Sequence, residues 1–136
     1  MKLKLIVLDV LSVILIYTIC LPVSGWTDVN ETPDFNVIAG EWVRPDGGYV
    51  VHVKNIKPDG EVDVEYLNPS RINVAEAKVS IWKGLVKLFV KLEDEGYPGS
   101  TYTLYYYTEK DAFAGYYYQA TMKKTYKVVF FRKSIK

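Results

Sequence analysis

Tyr49-Val50-Val51-His52-Val53-Lys54-Asn55-Ile56, Lys57-Pro58-Asp59-Gly60 and Glu61-Val62-Asp63-Val64-Glu65-Tyr66-Leu67 are consecutive, and together they decide the fold. The third stretch alternates strictly, with Glu61, Asp63 and Glu65 on one side and Val62, Val64 and Tyr66 on the other. A period of two marks a strand with one buried and one wetted face. In the first stretch Val51 and Val53 alternate with His52 and Lys54 in the same way. Between them Pro58 presets φ, and Gly60 supplies the positive φ that a tight turn needs.

The rhythm continues outward from this hairpin. Upstream, Gly40 to Arg44 ends in Pro45-Asp46-Gly47-Gly48. Downstream, Asn68-Pro69-Ser70-Arg71 breaks the chain. Ala75 to Lys83 then alternates Ala75, Ala77, Val79 and Ile81 against Glu76, Lys78 and Ser80. Gly84 turns into Leu85 to Glu93, and Asp94 to Ser100 reads as a loop. Thr101 to Tyr107, Gly115 to Met122 and Tyr126 to Arg132 complete the series. Connections this short exclude parallel crossovers. The expected fold class is all-β: a single antiparallel up-and-down barrel of about eight strands over residues 39–134, closed on itself to hide its edges. A barrel of that size is either packed solid or holds one small ligand.

The start of the 136-residue chain reads as a targeting segment. Lys2 and Lys4 precede a largely apolar run from Leu5 to Leu21, and Val23-Ser24-Gly25 follow Pro22. These are the parts of a signal peptide cut after Gly25, so residues 1–25 are the expected leader and 26–38 an exposed lead-in. The protein is then exported, to a periplasm or the extracellular space. Two alternatives stay open: residues 3–23 left uncut as a membrane anchor, or lipidation at Cys20, although Ile19 sits where a lipobox wants a small residue. Asn30-Glu31-Thr32 fits the N-glycosylation pattern of a eukaryotic secretory pathway.

Removing Lys2, Lys4 and Asp9 from 17 basic and 16 acidic residues leaves a formal charge of zero. A neutral exported domain has no general attraction for nucleic acid or an anionic membrane, so no nucleic acid is expected as a partner, and a membrane only through the N-terminal segment if it is uncleaved or lipidated at Cys20. Acidic residues dominate from Asp28 to Glu65, and basic ones after Asp111. Pairing of the first and last strands would bring the two populations together. Cys20 is the single cysteine and leaves with the leader, so the mature chain has neither thiolate nor disulfide.

Little catalytic chemistry is written in the residues. His52 is the one histidine and reads as an outward strand residue, without a second histidine to complete a metal site. Glu61, Asp63 and Glu65 read as a solvated strand face. Glu93, Asp94 and Glu95 are spaced poorly for Ca²⁺. No metal, cofactor or catalytic constellation is expected, and the reading is a non-enzymatic binding protein.

Gly40-Glu41-Trp42 resembles the Gly-X-Trp opening of calycins, the lipocalin and avidin type of small barrel. That resemblance implies that Trp42 plugs one end and that Arg132, late in the last strand, packs across it as a barrel-closing pair. Gly40 to Tyr49, Tyr97-Pro98-Gly99-Ser100-Thr101-Tyr102 and Gly115-Tyr116-Tyr117-Tyr118-Gln119 are also similar to a family of small exported bacterial proteins of no assigned activity. The chain departs from lipocalins in its cysteine-free mature part and from avidin in lacking the biotin-contacting pattern.

The 12 tyrosines are the binding candidates. Tyr49, Tyr66, Tyr102 and Tyr106 fall on the apolar faces of their strands, joined either by Tyr117 with Gln119 or by Tyr116 with Tyr118. Their hydroxyls in a barrel mouth would suit a small, partly polar or amphiphilic ligand. The alternative is a solid barrel acting as a protein-interaction or inhibitor module through loops such as Asn68 to Asn73 and Asp94 to Ser100.

Overall fold

The computed structural model describes residues 33–134; the expected leader 1–25 with Cys20, the glycosylation pattern at Asn30 to Thr32 and the first part of the lead-in lie outside the described residues. Nine strands follow one 3-10 turn, Phe35–Ile38. They are β1 (Gly40–Val43), β2 (Val50–Lys54), β3 (Asp63–Asn68), β4 (Ser70–Ile72), β5 (Val74–Trp82), β6 (Leu85–Asp94), β7 (Tyr97–Tyr107), β8 (Ala112–Gln119) and β9 (Lys124–Arg132).

The sheet order is β4-β3-β2-β1-β9-β8-β7-β6-β5, with antiparallel neighbours throughout. The two outer members of that order, β4 and β5, are successive parts of one bent strand, separated only by Asn73. β4 pairs with β3 through Tyr66↔Ile72, and a further bridge joins Glu61 to Lys78 of β5. The ring is therefore an up-and-down antiparallel barrel that is nearly closed. It is eight-stranded when β4 and β5 are taken together and nine-stranded when the bend is taken as a break.

The bend has a local cause. Pro69 cannot donate to a ladder, and the chain doubles back around it, pairing Asn68 with Ser70. A bulge between Val74 and Glu76 then turns β5 away from β3. The wall rejoins where Val79 N–H donates to the Gly60 carbonyl at 2.8 Å. Between these points a cleft of about 420 Å³ opens, with Val62, Val64, Val74 and Ala77 below a rim of Lys54, Asp63, Glu65, Arg71 and Glu76.

Three boundaries differ from the sequence reading. Asp94 to Ser100 is not a loop: β6 runs to Asp94 and β7 starts at Tyr97, because a register shift between Lys91 and Glu93 accommodates Pro98 and Gly99. β8 begins at Ala112 rather than Gly115. The segment read as an exposed lead-in ends in the 3-10 turn, whose Ile38 is fully buried and belongs to the core.

The core is the barrel interior. Trp42, Val51, Val53, Tyr66, Leu88, Val90, Leu92, Tyr102, Leu104, Phe113 and Phe130 are all buried there, on alternate positions of their strands. Inward side chains from every strand thus fill one space, as the period of two requires.

Candidate functional site

One end of the barrel carries a tyrosine–arginine cluster. Arg44 follows β1 and is fixed by Asp46, to which its Nε donates at 2.9 Å and its Nη2 at 2.5 Å. Its guanidinium lies 4.3 Å from the Tyr49 ring centre, and its Nη1 donates to the Tyr102 hydroxyl at 3.2 Å. The Tyr102 and Tyr66 hydroxyls are 2.9 Å apart. Tyr102 stacks on Tyr117 at 4.6 Å and meets Tyr66 at 5.3 Å and Phe130 at 5.5 Å. These separations are those of touching aromatic pairs, so the rings themselves occupy the interior.

Burial raises Tyr66 far above the ordinary phenol range and pushes Tyr102 up to about 12, against the opposing pull of its hydrogen bonds to Tyr66 and Arg44. Both stay protonated at neutral pH and cannot serve as bases. Hydrogen bonds to Asp46 and Tyr102 hold Arg44 charged despite burial working against it. Tyr102→Phe removes the oxygen shared by Arg44 and Tyr66 and is expected to cost about 1–3 kcal/mol. Tyr66→Phe leaves Arg44 its partner and is expected to cost less. Urea unfolding of both variants checks the order.

The opposite end is plugged. Trp42 and Arg132 are paired in register across β1 and β9, and the guanidinium lies 4.3 Å from the indole centre. Trp42 Nε1–H donates to the Ile38 carbonyl at 2.9 Å. Arg132 donates from Nη1 to the Ala39 carbonyl at 2.6 Å and from Nη2 to the Val37 carbonyl at 2.7 Å. Its Nε and Nη2 reach the two Asp111 oxygens at 2.7 and 2.9 Å. Planar bidentate pairing of this kind suits arginine and not lysine.

The Arg132 hydrogen bond holds the Asp111 carboxyl below its usual value of 3.8. A carboxylate lowered in the folded state adds stability above that value, which is lost as pH falls through the folded one. Asp111 is half exposed, so the effect is small. Wild-type melting temperature is expected to fall more steeply than that of Asp111→Asn below about pH 4.

The candidates named from sequence separate into two groups. Tyr49, Tyr66, Tyr102 and Tyr117 gather at the arginine end, with Tyr117 inward and Tyr116 and Tyr118 outward. Gln119 lies at the end of β8, paired with Lys124 at the turn into β9. Tyr106 belongs to the other end, edge-on to Trp42 at 5.7 Å and donating its hydroxyl to Asp111.

Tyr97 is half-buried, and its hydroxyl accepts from Asn68. Asp94 accepts from the Asn73 and Glu95 N–H groups, and Asn73 Nδ2 donates to the Glu93 carbonyl, so the segments Asn68 to Asn73 and Asp94 to Ser100, read as loops from sequence, brace each other. His52 faces outward, 3.5 Å from Glu65, which also meets Lys54 and Arg71. Pairing of β1 with β9 brings Lys133 to Glu41 at 2.6 Å, but Lys123, Lys124 and Lys127 stay apart from the acidic strands.

A second surface was not singled out in the sequence. The outer face of β5 to β9 exposes Trp82, Tyr107, Tyr116, Val129 and Phe131, each about two-fifths to one-half accessible. Trp82 and Tyr105 rings lie 5.0 Å apart. Between these side chains runs a groove of about 430 Å³ floored by Ala114. Its signal was present in Tyr105-Tyr106-Tyr107, Tyr116-Tyr117-Tyr118 and Val128-Val129-Phe130-Phe131. Unbroken apolar runs give a strand two apolar faces, and the core can cover only one.

Compared with protein-family models, with curated proteins and with solved structures, the chain finds no match.

Proposed function

We propose that this protein is a non-enzymatic docking module, a solid calycin-like barrel that binds from its outer aromatic face. One observation carries the reading: the interior tyrosines already satisfy one another while Trp82, Tyr107, Tyr116 and Phe131 are left uncovered. A large exposed aromatic patch on a small domain marks an interaction surface. The packed mouth argues against the small-ligand reading, since a ligand there would have to displace stacked rings. The calycin assignment is supported by Gly40 before Trp42 and by Arg132 lying across the indole.

Export after cleavage at Gly25 belongs to the same proposal. The secreted or periplasmic protein is expected to begin at Trp26; an intact Met1 start in the membrane fraction contradicts it. For the face, wild type and a Tyr105→Ser/Tyr116→Ser variant are immobilised and exposed to envelope extract of the source organism. The variant, with unchanged melting temperature, is expected to lose what the wild type captures. Equal capture by both would show that binding lies elsewhere.

A further inference from the structure

We infer that the partner of the outer face is an anionic bilayer surface, an assignment that rests on the reading of that face as the binding surface. The centre of the strip, Tyr105 and Tyr116, has a cation on either side, while Trp82 lies beyond the first of these on β5 and Phe131 shares β9 with the second. Lys87 stands directly opposite Tyr105 on one side, and Lys127 directly opposite Tyr116 on the other. Lys78 extends the first flank, next to Phe89. Among the acidic residues near this face, Glu76 is opposite Lys91, Glu93 follows the buried Leu92 on the outer side of β6, and Glu61 bridges to Lys78. Lys78, Lys87 and Lys127 make no ion pair among the described residues.

This layout has a physical logic at a lipid surface. Trp and Tyr join an apolar ring to a polar tip and settle at the boundary between headgroups and acyl chains. Lysines beside them lay their methylenes along the rings and lift the ammonium group into the headgroup layer. An apolar centre with cationic margins is the arrangement of surface-lying membrane segments. A second copy fits poorly, because two such faces would bring lysines against lysines.

The test is co-sedimentation of the exported protein, begun at Trp26, with vesicles of phosphatidylglycerol and phosphatidylcholine, against vesicles of phosphatidylcholine alone. Binding is expected on the mixed vesicles, weaker on the neutral ones and falling with added salt. A Lys87→Gln/Lys127→Gln variant should partition about 25-fold less onto the mixed vesicles, at roughly five-fold per lysine. Trp82→Ala should lower binding with its melting temperature unchanged. Residues 26–32 are common to every variant, so the differences report the barrel face.

Equal partition onto both vesicles, or no change on neutralising the two lysines, overturns the assignment. If vesicles are ignored while the Tyr105→Ser/Tyr116→Ser variant still loses a captured protein, the lipid partner is overturned and the docking face stands.

Discussion

Trp42→Ala is expected to lower stability by about 3–5 kcal/mol, the range for removing a fully buried large aromatic. The loss has three physical parts. The cavity left by the indole borders Phe113, 4.5 Å away, and Tyr106, both anchored on other strands and unable to collapse inward. The Ile38 carbonyl loses its donor, loosening the 3-10 turn that covers this end. Arg132 loses the ring beneath it but keeps Asp111, Ala39 and Val37. Trp42→Phe should recover more than half of the loss, since it restores most of the volume but not the N–H. Equilibrium unfolding in urea measures both.

Gly115→Ala should be nearly as damaging, at about 3 kcal/mol, although it adds a single methyl group. A Cβ at Gly115 would collide with the Thr103 carbonyl oxygen and press on the Leu104 Cα, both backbone atoms of β7. Neither can rotate away, so β8 must shift from β7 along a ladder that runs from Thr101↔Tyr118 to Tyr107↔Ala112. Gly48→Ala is the control: nothing lies near its Cβ, and a change within about 0.5 kcal/mol is expected. Comparable losses at the two glycines would mean that β7 and β8 are not so closely packed.

The contrast between Gly115 and Trp42 also shows what could be read before the fold was seen. Alternation around Val51, Val53, Val62 and Val64 is a local property, and it carried the antiparallel strands and their inward faces. Pairing of the first strand with the last followed from short connections and the need to hide edges. Three other features are consequences of closure rather than of local pattern. The bulge beside Ala75 arises where β5 turns away from β3. The close approach at Gly115 appears only once β7 lies alongside. Ile38 is buried where its turn covers the plugged end, with Arg132 of β9 donating to the Val37 and Ala39 carbonyls on either side of it.

The tyrosines illustrate the same division. Period two placed Tyr66 and Tyr102 inward, but it left Tyr116 and Tyr117 interchangeable, since a uniform apolar run has no phase. The structure fixes that phase through Tyr117 stacking on Tyr102. Once Tyr117 is inside, Tyr116 is outside, and the exposed strip with Tyr105 and Trp82 follows. Sequence reasoning put these tyrosines on the apolar faces of their strands and left two outcomes, a solid barrel or a mouth open to a ligand; the phase of strand β8 and the ring separations could be read only from the fold.

That filling is the central claim, because a docking face gains its importance from an interior with no room for a ligand. Xenon under pressure enters apolar voids of a protein crystal and reports them directly. The account predicts no xenon site inside the barrel. A xenon atom bound among Tyr66, Tyr102 and Phe130 would contradict it and return the binding site to the barrel mouth.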